Sequence, residues 1–384
     1  MEFVKLTAND YDEWLYVLNT AFGEKRGTTM DFEKDLPKMC IRDDYHMGMH
    51  IAARENGKIC SLLGVYPIKV KIGGTELMFS TVGNVATLAE HEGKGYMSML
   101  LDRAMEELGK IGADASRLGG SRQRYNRYGY EASGTVYNFE IYDPTTKYCA
   151  EDISAEFKTI SKDSTAELEF INNLRSTKTF HVERSMDNSY LDDYLTLCAW
   201  GNVPYIALNS RGEMIGYVSA SKDNTEIADV MATSLYDLKN ILFSWQKKHG
   251  GIIKFTLMST EVEAVKYFAS VAHSMSINSP SHFKIINFDK VADALIKVKA
   301  DLAPNLPQGE FVLGIEDWGN LKICVEKGNA YCQKTDETPE LTLDKITATR
   351  FLFGPASPGI VAPVNSFLTS VLPLPLTWNT LDRV

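Results

Sequence analysis

Residues 85–101, VATLAEHEGKGYMSMLL, pass from a strand into a helix through a turn that carries two glycines. Val85, Ala86, Thr87 and Leu88 make a short run with strand character. Met97, Leu100, Leu101, Ala104 and Leu108 then recur at three- and four-residue spacing, which predicts a helix over 95–109. A helix that starts from such a turn presents backbone N–H groups with no internal acceptor. Those donors, with the positive end of the helix dipole, favour an anion. Gly93 and Gly95 let the backbone approach a phosphate closely, and Lys94 adds a cation. The turn is neither GxxxxGK[ST] nor GxGxxG, so it is neither a P-loop nor a dinucleotide fingerprint. His91 reads as a support for the turn rather than a base.

The elements around this turn alternate. A strand at 2–6 precedes a helix with Asn9 as N-cap and Trp14, Val17, Leu18 and Ala21 on one face. Strands 50–53 and 58–66 meet at Asn56-Gly57, and 68–72 meets 76–82 at Gly73-Gly74, both hairpin signals. Strand 85–88, helix 95–109, strand 115–118, a helix at 121–128 and strands near 130–142 follow. This order predicts an α/β (α+β) fold with a mixed sheet and flanking helices. After Gly119-Gly120 the run Ser121-Arg122-Gln123-Arg124-Tyr125-Asn126-Arg127-Tyr128-Gly129-Tyr130 holds three arginines and three tyrosines.

With both motifs in view, the chain resembles the GNAT acyltransferase family. Its cofactor signature, Arg/Gln-x-x-Gly-x-Gly/Ala, falls on Glu92, Gly95 and Met97, where Gly95 keeps the pattern and Glu92 and Met97 depart from it. Its Tyr-x-x-x-Gly-Phe motif is similar to the stretch Tyr125-Asn126-Arg127-Tyr128-Gly129-Tyr130. The resemblance implies that acetyl-CoA lies against Val85, Ala86 and Thr87. Its phosphates would meet the turn of Gly93, Lys94, Gly95, Tyr96, Met97 and Ser98, and Gly120 and Ser121 would touch its pantetheine arm. Tyr125 is implied as the acid that protonates the leaving thiolate, since a positioned phenol can donate to sulfur. Tyr128 and Tyr130 read as core.

A partial echo follows. Strands 205–209 and 213–220, strand 226–232, a helix at 235–247 and strand 252–258 repeat the order, but the turn at 233–237 has neither glycine nor a basic residue. This half is expected to be a GNAT-like scaffold without cofactor binding. From about residue 289 the pattern changes to a helix, strands at 310–314 and 321–325, and a helix at 342–351. The apolar, Pro-rich stretch 358–384 is expected to pack against the body of the protein rather than hang free. Domains are therefore expected at 1–144 (catalytic), 145–287 (scaffold) and 288–384.

Two GNAT-like halves and a small third unit resemble the enhanced intracellular survival (Eis) type of N-acetyltransferase. That resemblance implies a sterol-carrier-like third domain, a homo-oligomer, a hexamer in that family, and a terminal carboxylate, here on Val384, acting as base. It also implies acetyl transfer to an amine such as an aminoglycoside, a polyamine or a lysine side chain. The alternatives are an acyltransferase with a longer acyl donor or peptide acceptor, and a non-catalytic acyl-CoA-binding protein.

The formal net charge of −10 argues against nucleic acid as the main partner and is compatible with a cationic acceptor. Cys40, Cys60, Cys149, Cys198, Cys324 and Cys332 form no CxxC and no zinc spacing. Reduced thiols in the cytoplasm are expected. His46 and His50 are four apart without an acidic third ligand, so no metal is expected. No apolar run approaches the length of a membrane span.

Overall fold

The structure, a computed structural model, describes residues 1–184 and 191–383. In the first unit β1 (Glu2–Lys5) leads to α1 (Tyr11–Arg26), which buries Trp14, Val17, Leu18 and Ala21 and ends at Gly27 in the left-handed conformation. The short helices α2 (Phe32–Asp35) and α3 (Asp44–Met47) precede β2 (His50–Glu55), β3 (Lys58–Ile72), β4 (Thr75–Thr87), α4 (Tyr96–Ile111), β5 (Ala115–Leu118), α5 (Arg122–Tyr125) and β6 (Glu131–Ser133).

The four strands expected between 58 and 88 are two long ones. β3 runs unbroken through Pro67, at a point where β2 has already ended, at Gly64, and β9 has not yet begun, at Val70. A proline lacks the ladder donor and is tolerated where a strand has a neighbour on one side only. The 85–88 strand is the end of β4.

β7 (Val136–Ile141), α6 (Asp143–Cys149), β8 (Glu156–Thr159), α7 (Thr165–Ser176), β9 (Phe180–Val182) and α8 (Leu191–Leu197) come next. The second unit continues with β10 (Val203–Leu208), β11 (Met214–Ala220), β12 (Glu226–Ala232), α9 (Leu235–His249), β13 (Ile253–Met258), α10 (Val262–Val271), β14 (Ser274–Asn278) and β15 (Ser281–Ile285). The third unit holds α11 (Phe288–Leu302), β16 (Gly309–Ile315), β17 (Gly319–Glu326), β18 (Asn329–Thr335), β19 (Leu341–Leu343), α12 (Lys345–Phe353), α13 (Pro358–Val361) and α14 (Ser366–Val371).

The sheets do not respect chain boundaries at 144 and 287. The first sheet has the order β1-β2-β3-β4-β5-β15-β6, with β9 added along β3; the second is β14-β7-β13-β12-β11-β10-β8. β7, counted within 1–144, lies in the second sheet between β14 and β13. β15, counted within 145–287, lies in the first between β5 and β6. The chain crosses at Gly134, whose φ is 77° and where a Cβ would come within 3.0 Å of the Leu376 carbonyl oxygen. The exchange binds the two units into one body.

The third sheet, β18-β17-β16-β19, shares its core with the first, since Val70, Ile72, Leu77 and Phe79 of β3 and β4 belong to the same apolar cluster as Leu295, Leu313 and Leu321. The C-terminal stretch is buried: Leu374, Leu376 and Leu381 are inaccessible, and Trp378 stacks on Phe79 with ring centroids 6.0 Å apart. At its end Arg184 bridges Asp193 and Asp382, at 2.8 Å to each, and Lys38 donates to the Leu381 carbonyl at 2.5 Å.

Candidate active site

β4 and β5 pair in parallel only from Phe79↔Ala115 to Val82↔Leu118. Beyond that rung they part, and local features of each strand shape the gap. On β4, the register steps from Gly64↔Gly83 to Leu62↔Ala86, so Asn84 and Val85 together oppose Leu63. Asn84 takes φ 53°. Such a bulge bends the strand and frees backbone groups from the ladder.

The bulge rests on a buried chain of hydrogen bonds. Asn84 Nδ2 donates to Tyr66 Oη (2.8 Å), Tyr66 donates to His50 Nε2 (2.9 Å), and His50 Nδ1 faces the Met47 carbonyl (3.3 Å). Residue 64 must be glycine, because a Cβ there would lie 2.1 Å from Tyr66 Oη. Burial pushes the His50 imidazole down to about 4 and the Tyr66 phenol upward. At neutral pH the bulge is therefore held by uncharged groups, which a buried site accepts at far lower cost than ions.

On the other side, Gly119, Gly120 and Ser121 lead from β5 into α5. Gly120 has φ 143°, and a Cβ on it would come 2.6 Å from Tyr125 Cε2. The glycine is what lets the Tyr125 ring lie over the end of β5. Tyr125 is 5% exposed; burial pushes its phenol upward while Arg124 beside it pulls the other way. The phenol is protonated at neutral pH and can donate. Between the strands lies a cavity of about 350 Å³ that brings together Val85, Ala86, Gly120, Ser121 and Tyr125. Phe22, Lys25 and Arg26 of α1 and Trp200 of the second unit close it. A larger groove, about 710 Å³, lies between α6 and α9. It has no strand opening and no helix start of this kind; a second groove, about 550 Å³, meets the start of α9, where Ser234 and Asp237 already cap the helix, so the smallest of the three is the candidate site.

Gly93 and Gly95, with φ 78° and 81°, turn the chain into α4. Gly95 is the N-cap, and its carbonyl accepts from the Ser98 amide at 3.0 Å. Among the described residues the amides of 93–97 donate to no protein acceptor. The side chains of the turn are committed elsewhere. Lys94 Nζ lies 3.0 Å from Glu55 Oε2 and 3.2 Å from His91 Nδ1, and its contact with Glu55 pushes its pKa upward. Glu92 pairs with Lys25 at 3.2 Å. Tyr96 is buried and Met97 packs on the same core, so both offer the site their backbone only. Thr87 Oγ1 sits 2.8 Å from Ser61 Oγ, toward β3, and does not line the cavity. Val384 lies outside the described residues.

Sequence reasoning missed the bulge, Trp200 and the arginines. Arg127 Nη2 donates to Ser98 Oγ at 2.7 Å, which brings a cation to the start of α4. Its signal was the cluster Arg122, Arg124 and Arg127, although Arg122 is spent on a bidentate pair with Glu131 at 2.7 Å to each oxygen. Trp200 carried no signal, since it reaches the site from a different unit. Among the described residues no group of His, Cys, Asp and Glu could hold a metal, and no helix is long and apolar enough to cross a membrane.

A splayed parallel pair, a β4 bulge and an open helix start lie together in the first unit. Residues 2–133 match the family model described as an acetyltransferase (GNAT) domain. The chain is an acyltransferase, and its N-terminal unit is the part that matches this domain. Its fold over nearly the full length is shared with solved structures of low identity. A GCN5-related N-acetyltransferase from Anabaena variabilis superposes with TM-score 0.68 at 14% identity, covering 98% of each chain. A conserved protein of unknown function from Enterococcus faecalis gives 0.66 at 16% identity, covering 97% of this chain and 96% of that one. Eis1 from Mycobacterium abscessus gives 0.63 at 12% identity, covering 99% and 98%. No curated protein matches the chain.

Proposed function

We propose that the chain transfers an acetyl group from acetyl-CoA to a primary amine by direct attack on the thioester. One observation carries this reading: the β4 bulge and the Tyr125 phenol converge on one cavity, beside a helix start whose amides are open. Bound acetyl-CoA supplies an activated thioester. The amides of 93–97, with Arg127 at the same helix end, hold its diphosphate. The backbone at Val85 and Ala86 holds the pantetheine arm and orients the carbonyl. The amine lone pair forms the C–N bond, the C–S bond breaks with its electron pair on sulfur, the nitrogen releases its extra proton to water, and Tyr125 gives the thiolate its proton and regains one from solvent.

The three-part order over nearly the whole chain supports an Eis-type enzyme, and on that reading the protein is a homo-oligomer in solution. The test is thiol release from acetyl-CoA across a panel of primary amines. Amine-dependent release is expected, reduced about 100-fold or more in Tyr125→Phe, the scale of a lost general acid. Acetyl-CoA binding without release for any amine would overturn transfer. Unchanged turnover in Tyr125→Phe would remove the acid from Tyr125.

A further inference from the structure

We infer that the acceptor amine also carries an acidic group, a carboxylate or a phosphate, which Arg26 and Arg124 hold at the mouth of the cavity; this rests on the proposed transfer. The chain's net charge of −10 is compatible with a cationic acceptor. The cavity has the opposite local sign. Among the described residues its lining contains Lys25, Arg26 and Arg124 and no aspartate or glutamate. An ammonium-rich ligand would enter against this field, since the local charge of a cleft and not the total decides which ion concentrates there.

The three cations are not equally free. Lys25 is paired with Glu92 at 3.2 Å. Among the described residues neither Arg26 nor Arg124 pairs with a carboxylate. The Arg26 guanidinium is held over two rings, with Cζ 5.7 Å from the Trp200 ring centre and 6.0 Å from that of Phe22. Among the described residues its one polar contact is from Nη1 to Met30 Sδ at 3.7 Å. The rings fix the fork and leave donors for a ligand, which suits bidentate binding of a planar acid group. Arg124 precedes Tyr125 on α5 and stands beside its phenol. An acid group between the two arginines would tether the acceptor beside the proposed proton donor, within the cavity that holds Val85 and Ala86.

The cofactor's phosphates are the other source of negative charge. They have their own donors at the start of α4, which Arg127 and Lys94 flank and which does not line this cavity.

Matched amines separate the two. Phenylalanine is compared with phenethylamine, and O-phosphoethanolamine with ethanolamine, with spermidine and kanamycin as polycations. The acidic member of a pair is expected to have kcat/KM about 10-fold or more above its neutral partner, the scale of one charge-assisted contact. In Arg26→Gln and Arg124→Gln that ratio should fall toward one, while the Kd for acetyl-CoA changes less than about two-fold. Preference for spermidine or kanamycin overturns the inference. So does a loss of acetyl-CoA affinity in the variants with the ratio intact, which would assign the arginines to the cofactor. If no amine is acetylated, the proposed transfer fails but the inference is still tested. Calorimetry then compares N-acetylphenylalanine with N-acetylphenethylamine. Tighter binding of the acid that is lost in both variants supports the site, and equal binding overturns it.

Discussion

Gly120→Ala should uncouple Tyr125 from the reaction without touching the phenol itself. The new Cβ would sit 2.6 Å from Cε2 and 3.4 Å from Cδ2 of the ring. Carbon atoms rest about 3.5–4.0 Å apart, so the ring must retreat by about 1 Å. A misplacement of that size costs a positioned catalytic group about 100-fold in rate. The φ of 143° at residue 120 adds strain for any residue with a Cβ, worth about 1–3 kcal/mol of stability. Stability and rate are therefore read separately, melting temperature for the first and kcat of acetyl transfer under saturating substrates for the second. The sharper readout is the double variant. If Gly120→Ala acts through the phenol, adding it to Tyr125→Phe should lower kcat little further, because the group it displaces is already gone. Wild-type kcat in a folded Gly120→Ala protein of lowered melting temperature would show that the phenol is not used where it now lies. A double variant falling by the product of both single effects would show that Gly120 acts by another route.

Three further outcomes follow from the packing. His50 is held down to about 4 by burial, so between its unfolded value near 6.5 and pH 4 only the unfolded chain takes up the proton. Stability should fall as pH falls through this window, by on the order of 3 kcal/mol in all; urea unfolding at pH 7 and 5 checks it, and a drop that persists in His50→Gln assigns the loss to other groups. Gly64→Ala forces Tyr66 off its hydrogen bonds and should cost about 2–3 kcal/mol, with a lower kcat if the bulge orients the thioester; unfolding curves equal to wild type would refute the clash. Asp382→Ala leaves the buried Arg184 with Asp193 alone and should cost about 3 kcal/mol, seen as a lower urea midpoint at unchanged slope.

Where function rests on local chain chemistry, the sequence was readable. The two glycines at 93 and 95, the helix behind them and the order of strands led to the mixed α/β fold and to the turn at the start of α4. The roles of side chains in that turn were not readable, because they depend on partners far away in the chain. Lys94 looks like a phosphate ligand until Glu55 is found 3.0 Å away. Glu92 is a bare departure from the cofactor signature until Lys25 is seen to hold it. The bulge at Asn84 left no mark in hydrophobic pattern, since one extra residue in a strand shifts register without changing composition. The exchange of β7 and β15 between the sheets was not readable either, because it is a long-range pairing, and a strand's sequence does not name its neighbour. Arg26 and Trp200 meet only because the second unit packs on α1.

The two halves put the same strand–helix order to different ends. In the second sheet β12 and β13 share only the rungs Glu226↔Lys254 and Ile227↔Phe255, so they too diverge. There the helix α9 begins at Ser234, whose hydroxyl accepts from the Asp237 amide at 3.1 Å. The Asp237 carboxylate in turn accepts from the Ser234 hydroxyl at 2.7 Å and from that of Thr233 at 2.5 Å. The helix thus carries its own anion at its positive end. The C-terminal stretch comes into the neighbouring gap, with Asn379 donating to Asp229 at 2.8 Å and Ser259 to the Pro375 carbonyl at 3.3 Å. In the first sheet the N-cap is a glycine with no side chain to offer, and the acid nearest the turn is drawn aside by Lys25. One helix start is satisfied from within the chain and the other is left for a ligand. The difference lies in three residue choices, Ser234 and Asp237 against Gly95, rather than in the fold.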